Sequence, residues 1–94
     1  MAVVRKKSYN PYFEQVKNGE KKFDLRLADF EVKPGDTIIF EEYDEDTRQP
    51  TGRFTEHKVG YVLKTKDVGY WTADEIAESG FMVMQLESCD ASEK

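Results

Sequence analysis

Apolar residues along the chain come in short runs separated by Gly, Pro, Asn and Asp, and the spacing within each run predicts an element. Val3 and Val4 lead into Arg5-Lys6-Lys7, a first strand with a charged end. Asn10-Pro11 marks a helix start, because Asn accepts from the free amides of a first turn and Pro suits the first helical position. Tyr12, Phe13 and Val16 then share one face of a helix over about residues 11–17. Asn18-Gly19 stops it, since both residues tolerate a left-handed backbone. Phe23, Leu25 and Leu27 alternate with Lys22, Asp24 and Arg26. That is the pattern of a half-buried strand, with two cations around one carboxylate on its polar face.

Lys33-Pro34-Gly35-Asp36 reads as a turn and delivers the chain into the apolar strand Thr37-Ile38-Ile39-Phe40. Residues 44–52 form a polar hairpin connection, and residues 54–63 a further strand with Val59, Tyr61 and Leu63 in alternation. Thr72-Ala73-Asp74-Glu75 fits a capping box that opens a helix over about residues 73–78, closed by Ser79-Gly80. Phe81-Met82-Val83-Met84-Gln85-Leu86 is the last predicted strand. Strands dominate and two short helices are inserted. The expected class is therefore α+β, built on a small curved sheet or partly closed barrel.

A length of 94 residues supports one domain over 1–94, with 88–94 read as a disordered polar tail. Charged residues make up 35% of the chain, but an aromatic share of 13% argues for a packed core over disorder. Cys89 is the single cysteine, so an internal disulfide is excluded and a reducing, cytoplasmic setting is expected. The opening Met-Ala-Val-Val-Arg-Lys-Lys lacks the apolar run of a signal peptide, and no stretch approaches the length needed to span a bilayer. His57 is the single histidine, too few ligands for a metal site, and no cofactor motif is present. The expected protein is a monomer without metal, cofactor or membrane anchor.

The formal net charge of -5 weighs against a nonspecific nucleic-acid binder. Its distribution is uneven. Residues 1–40 hold eight Lys/Arg against six Asp/Glu, whereas residues 41–94 hold six against thirteen. A basic face in the first half is compatible with those numbers.

The stretch Pro11-Tyr12-Phe13-Glu14-Gln15-Val16-Lys17-Asn18-Gly19-Glu20-Lys21-Lys22-Phe23-Asp24-Leu25-Arg26 resembles ASCH-type domains: a short helix, a glycine, a lysine, an extended segment and an arginine. Gly35-Asp36 before an apolar strand, and the two late segments Val59-Gly60-Tyr61-Val62-Leu63 and Phe81 to Leu86, extend the likeness over roughly residues 7–86. The nearest resemblance is to a small ASCH-related group of unknown function. The resemblance implies a PUA-like mixed β pseudo-barrel of about five to six strands with two short helices, and a cleft near the Lys-to-Arg segment. It also implies RNA binding or, in some members, hydrolysis of 4-acetylcytidine by a lysine, a threonine and a glutamate. The lysine corresponds to Lys21. Asp24 stands at the threonine position and offers no hydroxyl nucleophile, and neither Glu75 nor Glu78 is assignable as the glutamate.

The candidate chemistry gathers around Lys21 and Asp24, the catalytic candidates, and around Lys22, Arg26, Tyr12 and Trp71 as ligand-binding residues. Each has a plainer reading: Lys21 a solvated lysine in a turn, Asp24 and Arg26 a surface ion pair, Tyr12 and Trp71 core packing. The expected function is binding of RNA or a modified nucleotide by a basic cleft at Lys21 and Arg26. The alternatives are an amidohydrolase acting on acylated cytidine-like bases, and a protein-interaction module that uses the acidic residues 41–46.

Overall fold

Two isoleucines and a phenylalanine in succession suit a pleated strand flanked on both sides, and Thr37-Ile38-Ile39-Phe40 takes the central place in the sheet. In the computed structural model, which describes residues 1–87, β2 (Thr37–Tyr43) lies between β1 (Val3–Ser8) and β3 (Pro50–Lys58). The β1–β2 pair is parallel, with Val4 opposite Ile38 and Lys6 opposite Phe40. The β2–β3 pair is antiparallel, with Ile38 opposite His57 and Phe40 opposite Thr55. The crossover from β1 to β2 carries helix α1 (Tyr12–Lys17).

Ile38, Phe40 and Glu42 alternate onto one face of β2. Phe13 and Val16 of α1 pack against Phe40, with Ile38 beside them, to form the core. Phe13 is the one fully buried large side chain among the described residues, a burial worth about 1.5–3 kcal/mol. The turn before β2 has Gly35 at a φ of 96° and an Asp36 amide that donates to the Lys33 carbonyl at 3.0 Å. The Asp36 carboxylate accepts from the amides of Ala2 and Lys33, each at 2.9 Å. Its own carbonyl accepts from Val59 at 2.8 Å. One residue thus aligns the starts of β1 and β2 with the end of β3.

The described chain divides into two compact units, Met1–Lys64 and Thr65–Lys94, the second described to residue 87. Among its described residues the second unit contains a 3₁₀ turn, Thr65–Asp67, and helix α2 (Ala73–Ser79). Its capping box is complete: the Glu75 amide donates to Thr72 Oγ1 at 3.1 Å, and the Thr72 amide donates to Glu75 Oε1 at 2.8 Å.

The outcome is an α+β chain with a three-stranded mixed sheet and two short helices. Three strands are paired among the described residues, fewer than the five or six expected. Residues 22–27 carry no ladder, and Leu25 and Leu27, expected in the core, are exposed. β3 ends at Lys58, opposite Thr37; Val59 still donates to the Asp36 carbonyl and accepts from the Gly35 amide, each at 2.8 Å, whereas residues 60–63, expected to continue the strand, carry no ladder. Residues 81–86 also carry no ladder. The expected tail at 88–94, including Cys89, lies outside the described residues. Among the described residues no helix is long and apolar enough to cross a membrane, and no group of acids, histidines and cysteines could hold a metal ion.

Candidate functional site

The helix end sets the position of Lys21. Asn18 closes α1, and Gly19 turns the chain at a φ of 82°. The Gly19 amide returns to the Val16 carbonyl at 3.2 Å, and the Lys21 amide to the Gln15 carbonyl at 3.0 Å. Lys21 is therefore clamped to the last turn of the helix by its own backbone. Its Nζ donates to the Phe23 carbonyl at 3.0 Å and lies 3.8 Å from Asp24 Oδ1. The ammonium also sits 5.5 Å from the Tyr12 ring centroid and 4.9 Å from that of Phe23, within cation–π range. Only 16% of the Lys21 side chain is exposed, which discards the reading of a solvated turn lysine.

Asp24 links Lys21 to Arg26. Its Oδ2 accepts from Arg26 Nε, while its Oδ1 faces the Lys21 ammonium. Arg26 also donates from one terminal nitrogen to the Lys7 carbonyl of β1 at 2.8 Å. Its guanidinium carbon lies 5.1 Å from the centroid of Phe40. The unladdered segment 22–27 is thus tied to the sheet by Arg26, whose side chain, like that of Asp24, is three-quarters covered, while Lys22, Leu25 and Leu27 are exposed. The site is a carboxylate between two cations, backed by aromatic rings. It can donate from Lys21, accept at Asp24, and offer the rim of the Tyr12 ring, which is 58% exposed.

Lys21, Asp24, Arg26 and Tyr12 are brought together. Lys22, expected among the ligand-binding residues on the same face as Asp24 and Arg26, is exposed. Trp71 belongs to the second unit, where it packs edge-on against Tyr70 and Phe81 with centroids 5.6 and 6.1 Å apart. A family model described as a domain of unknown function, DUF3850, matches residues 6–86, a span that includes every residue of the site. The chain belongs to the DUF3850 family. No curated protein and no solved structure matches this DUF3850 chain.

Two features of the DUF3850 fold escape the sequence reading. The first is the pair of partners that hold Arg26, Phe40 and the Lys7 carbonyl; both are distant in sequence and no local pattern points to them. The second is Glu42, which is buried although charged. It accepts from Asn10 Nδ2 at 2.6 Å and from Thr51 Oγ1 at 2.7 Å, and lies 3.5 Å from Arg53 Nε. Arg53 in turn pairs with Glu14, and that hydrogen bond, helped by the charges of Glu14 and Glu42, holds the guanidinium pKa above its ordinary value. Asn10 Oδ1 meanwhile accepts from the Glu14 amide in the first turn of α1 at 3.1 Å, although the cap position is Pro11, one residue later than expected. The signal for this network was an acid in line with Ile38 and Phe40. A cavity of about 230 Å³ opens on Asn10, Glu42, Tyr43 and Thr51.

Proposed function

We propose that this DUF3850 chain is an ASCH-type binding module of the PUA-like superfamily that takes RNA or a modified nucleotide at Lys21 and Arg26. The observation that carries the reading is the Lys21 ammonium, held over the Tyr12 and Phe23 rings with most of its side chain covered. Holding a lysine that way costs side-chain freedom and hydration. A ligand acceptor that meets its remaining N–H groups offsets that cost. Tyr12 adds a ring on which a base can stack, an interaction worth about 1–3 kcal/mol in single-strand binders.

The charge balance supports the same reading. The unit Met1–Lys64, which contains the site, holds twelve Lys/Arg and twelve Asp/Glu, so it is formally neutral and lacks the negative excess of the whole chain. A neutral unit with a local pair of cations suits a short feature better than a long run of phosphates. On this reading the fold is a PUA-like pseudo-barrel of five to six strands, the setting cytoplasmic and the protein monomeric.

Fluorescence anisotropy with short single-stranded RNA at low salt tests the proposal. Saturable binding is expected, weakened about tenfold or more by Lys21→Ala or Arg26→Ala, since each removes a charge-assisted hydrogen bond worth about 1.5–3 kcal/mol. The slope of log K against log salt should stay shallow, corresponding to no more than about one or two phosphate contacts. Absence of saturable binding to any RNA or nucleoside at low salt sinks the reading.

A further inference from the structure

We propose that Asp24 makes this site selective for an uncharged nucleobase edge, one that presents an N–H donor beside an acceptor, and that it turns phosphate away. The inference rests on the nucleotide-binding reading above and names which part of the ligand the site takes. Asp24 lies between the two cations that any anion would seek: its Oδ1 is 3.8 Å from Lys21 Nζ, and its Oδ2 accepts from Arg26 Nε. A phosphate brought to either cation meets a carboxylate at the same range, and like charges that close repel strongly when partly shielded from water. Each of the three side chains is three-quarters or more covered, so that shielding is present.

The arginine fork points the same way. Two-pronged binding of phosphate needs a pair of adjacent guanidinium N–H groups. Here Nε is engaged by Asp24 and one terminal nitrogen by the Lys7 carbonyl at 2.8 Å. The fork that includes Nε is therefore open to a phosphate only if the Asp24 bond breaks. What the site does present is a donor and an acceptor side by side. Lys21 carries three N–H groups, of which one goes to the Phe23 carbonyl at 3.0 Å. Asp24 Oδ1 stands 3.8 Å away from that ammonium, beyond hydrogen-bond range, and keeps acceptor capacity. An acceptor and an N–H on adjacent atoms of a base fit that pair. Tyr12, 5.5 Å from the ammonium, supplies a ring for the base plane. At this position a neutral hydroxyl or amide side chain would remove the repulsion and leave both cations in place.

Isothermal titration of the wild-type chain and of Asp24→Asn with the four ribonucleosides, their 5′-monophosphates and inorganic phosphate tests the inference. The wild type is expected to bind at least one nucleoside no more weakly than its monophosphate, and to show no heat with inorganic phosphate. Asp24→Asn is expected to raise the monophosphate-to-nucleoside affinity ratio about tenfold or more. Asp24→Ser repeats the comparison if the Asn variant does not fold, as judged by circular dichroism. A wild type that prefers monophosphates by tenfold, or a ratio that Asp24→Asn leaves unchanged, overturns the inference. If the wild type binds neither RNA nor any nucleoside, the binding reading fails and the base-edge half of the inference fails with it. The exclusion of phosphate is then decided separately: a gain of inorganic phosphate binding in Asp24→Asn upholds it, and no gain overturns it.

Discussion

At Asp36 a single carboxylate accepts from the amides of Ala2 and Lys33, and at Asp44 another accepts from those of Asp46 and Thr47. A carboxylate is a better acceptor than a carboxylic acid, so these bonds favour the charged form. The Asp36 carboxyl is held below its ordinary 3.8 chiefly by the Ala2 amide and then by that of Lys33. The Asp44 carboxyl is held below the same value chiefly by Thr47 and then by Asp46. In the unfolded chain both protonate at about the ordinary value. Their contribution to stability is therefore complete above 3.8 and is lost as pH falls through the lower folded-state values. Thermal melts should be flat with respect to these two groups above about pH 5 and fall below about pH 4. A double variant, Asp36→Asn with Asp44→Asn, should melt lower at neutral pH and show a smaller acid-induced drop. An undiminished drop in that variant would contradict the assignment.

Helix α1 illustrates what an element owes to its surroundings. Six residues are too few to hold a helix in water alone. The helix is held by Phe13 and Val16 against Phe40, by Asn10 at its start, and by the return of the Lys21 amide at its end. Phe13→Ala should cost about 3–5 kcal/mol in urea unfolding, the usual range for emptying a fully buried aromatic site. A loss below about 1 kcal/mol would mean that the helix is anchored elsewhere. The ends of both helices were legible in the sequence, because Asn10, Gly19, Thr72 and Glu75 act within a few residues of themselves. β1 and β2 were legible for the same local reason, from Val3-Val4 and Ile38-Ile39. Residues 22–27 misled as to burial. Alternation tells which side chains share a face, but not whether a neighbouring strand exists to bury one of them. What became covered were the Asp24 and Arg26 side chains, because Arg26 reaches Phe40 and the Lys7 carbonyl, while Lys22 on the same face is exposed. Likewise Lys21, Asp24 and Arg26 could be named as a group from spacing, whereas the aromatic backing of Arg26 by Phe40 required the fold.

At the scale of the whole chain, the negative charge is not shared evenly. The second unit, residues 65–94, has two lysines against seven acids and so accounts for the entire net charge of -5. The first unit is neutral and holds the paired cations of the site. An overall acidic chain is thereby compatible with a nucleotide ligand, since the unit that holds the site carries no net negative charge. The central claim is that Lys21, Asp24 and Arg26 form a ligand site, and that the ligand carries a nucleobase. Titrating the ¹⁵N-labelled chain with short single-stranded RNA at low salt, followed residue by residue by NMR, tests it most directly. The account predicts saturable shifts centred on Tyr12, on the amides of residues 21–26 and on Lys7, and their loss in Lys21→Ala. No shifts at saturating RNA, or shifts confined to residues 65–87, would contradict it.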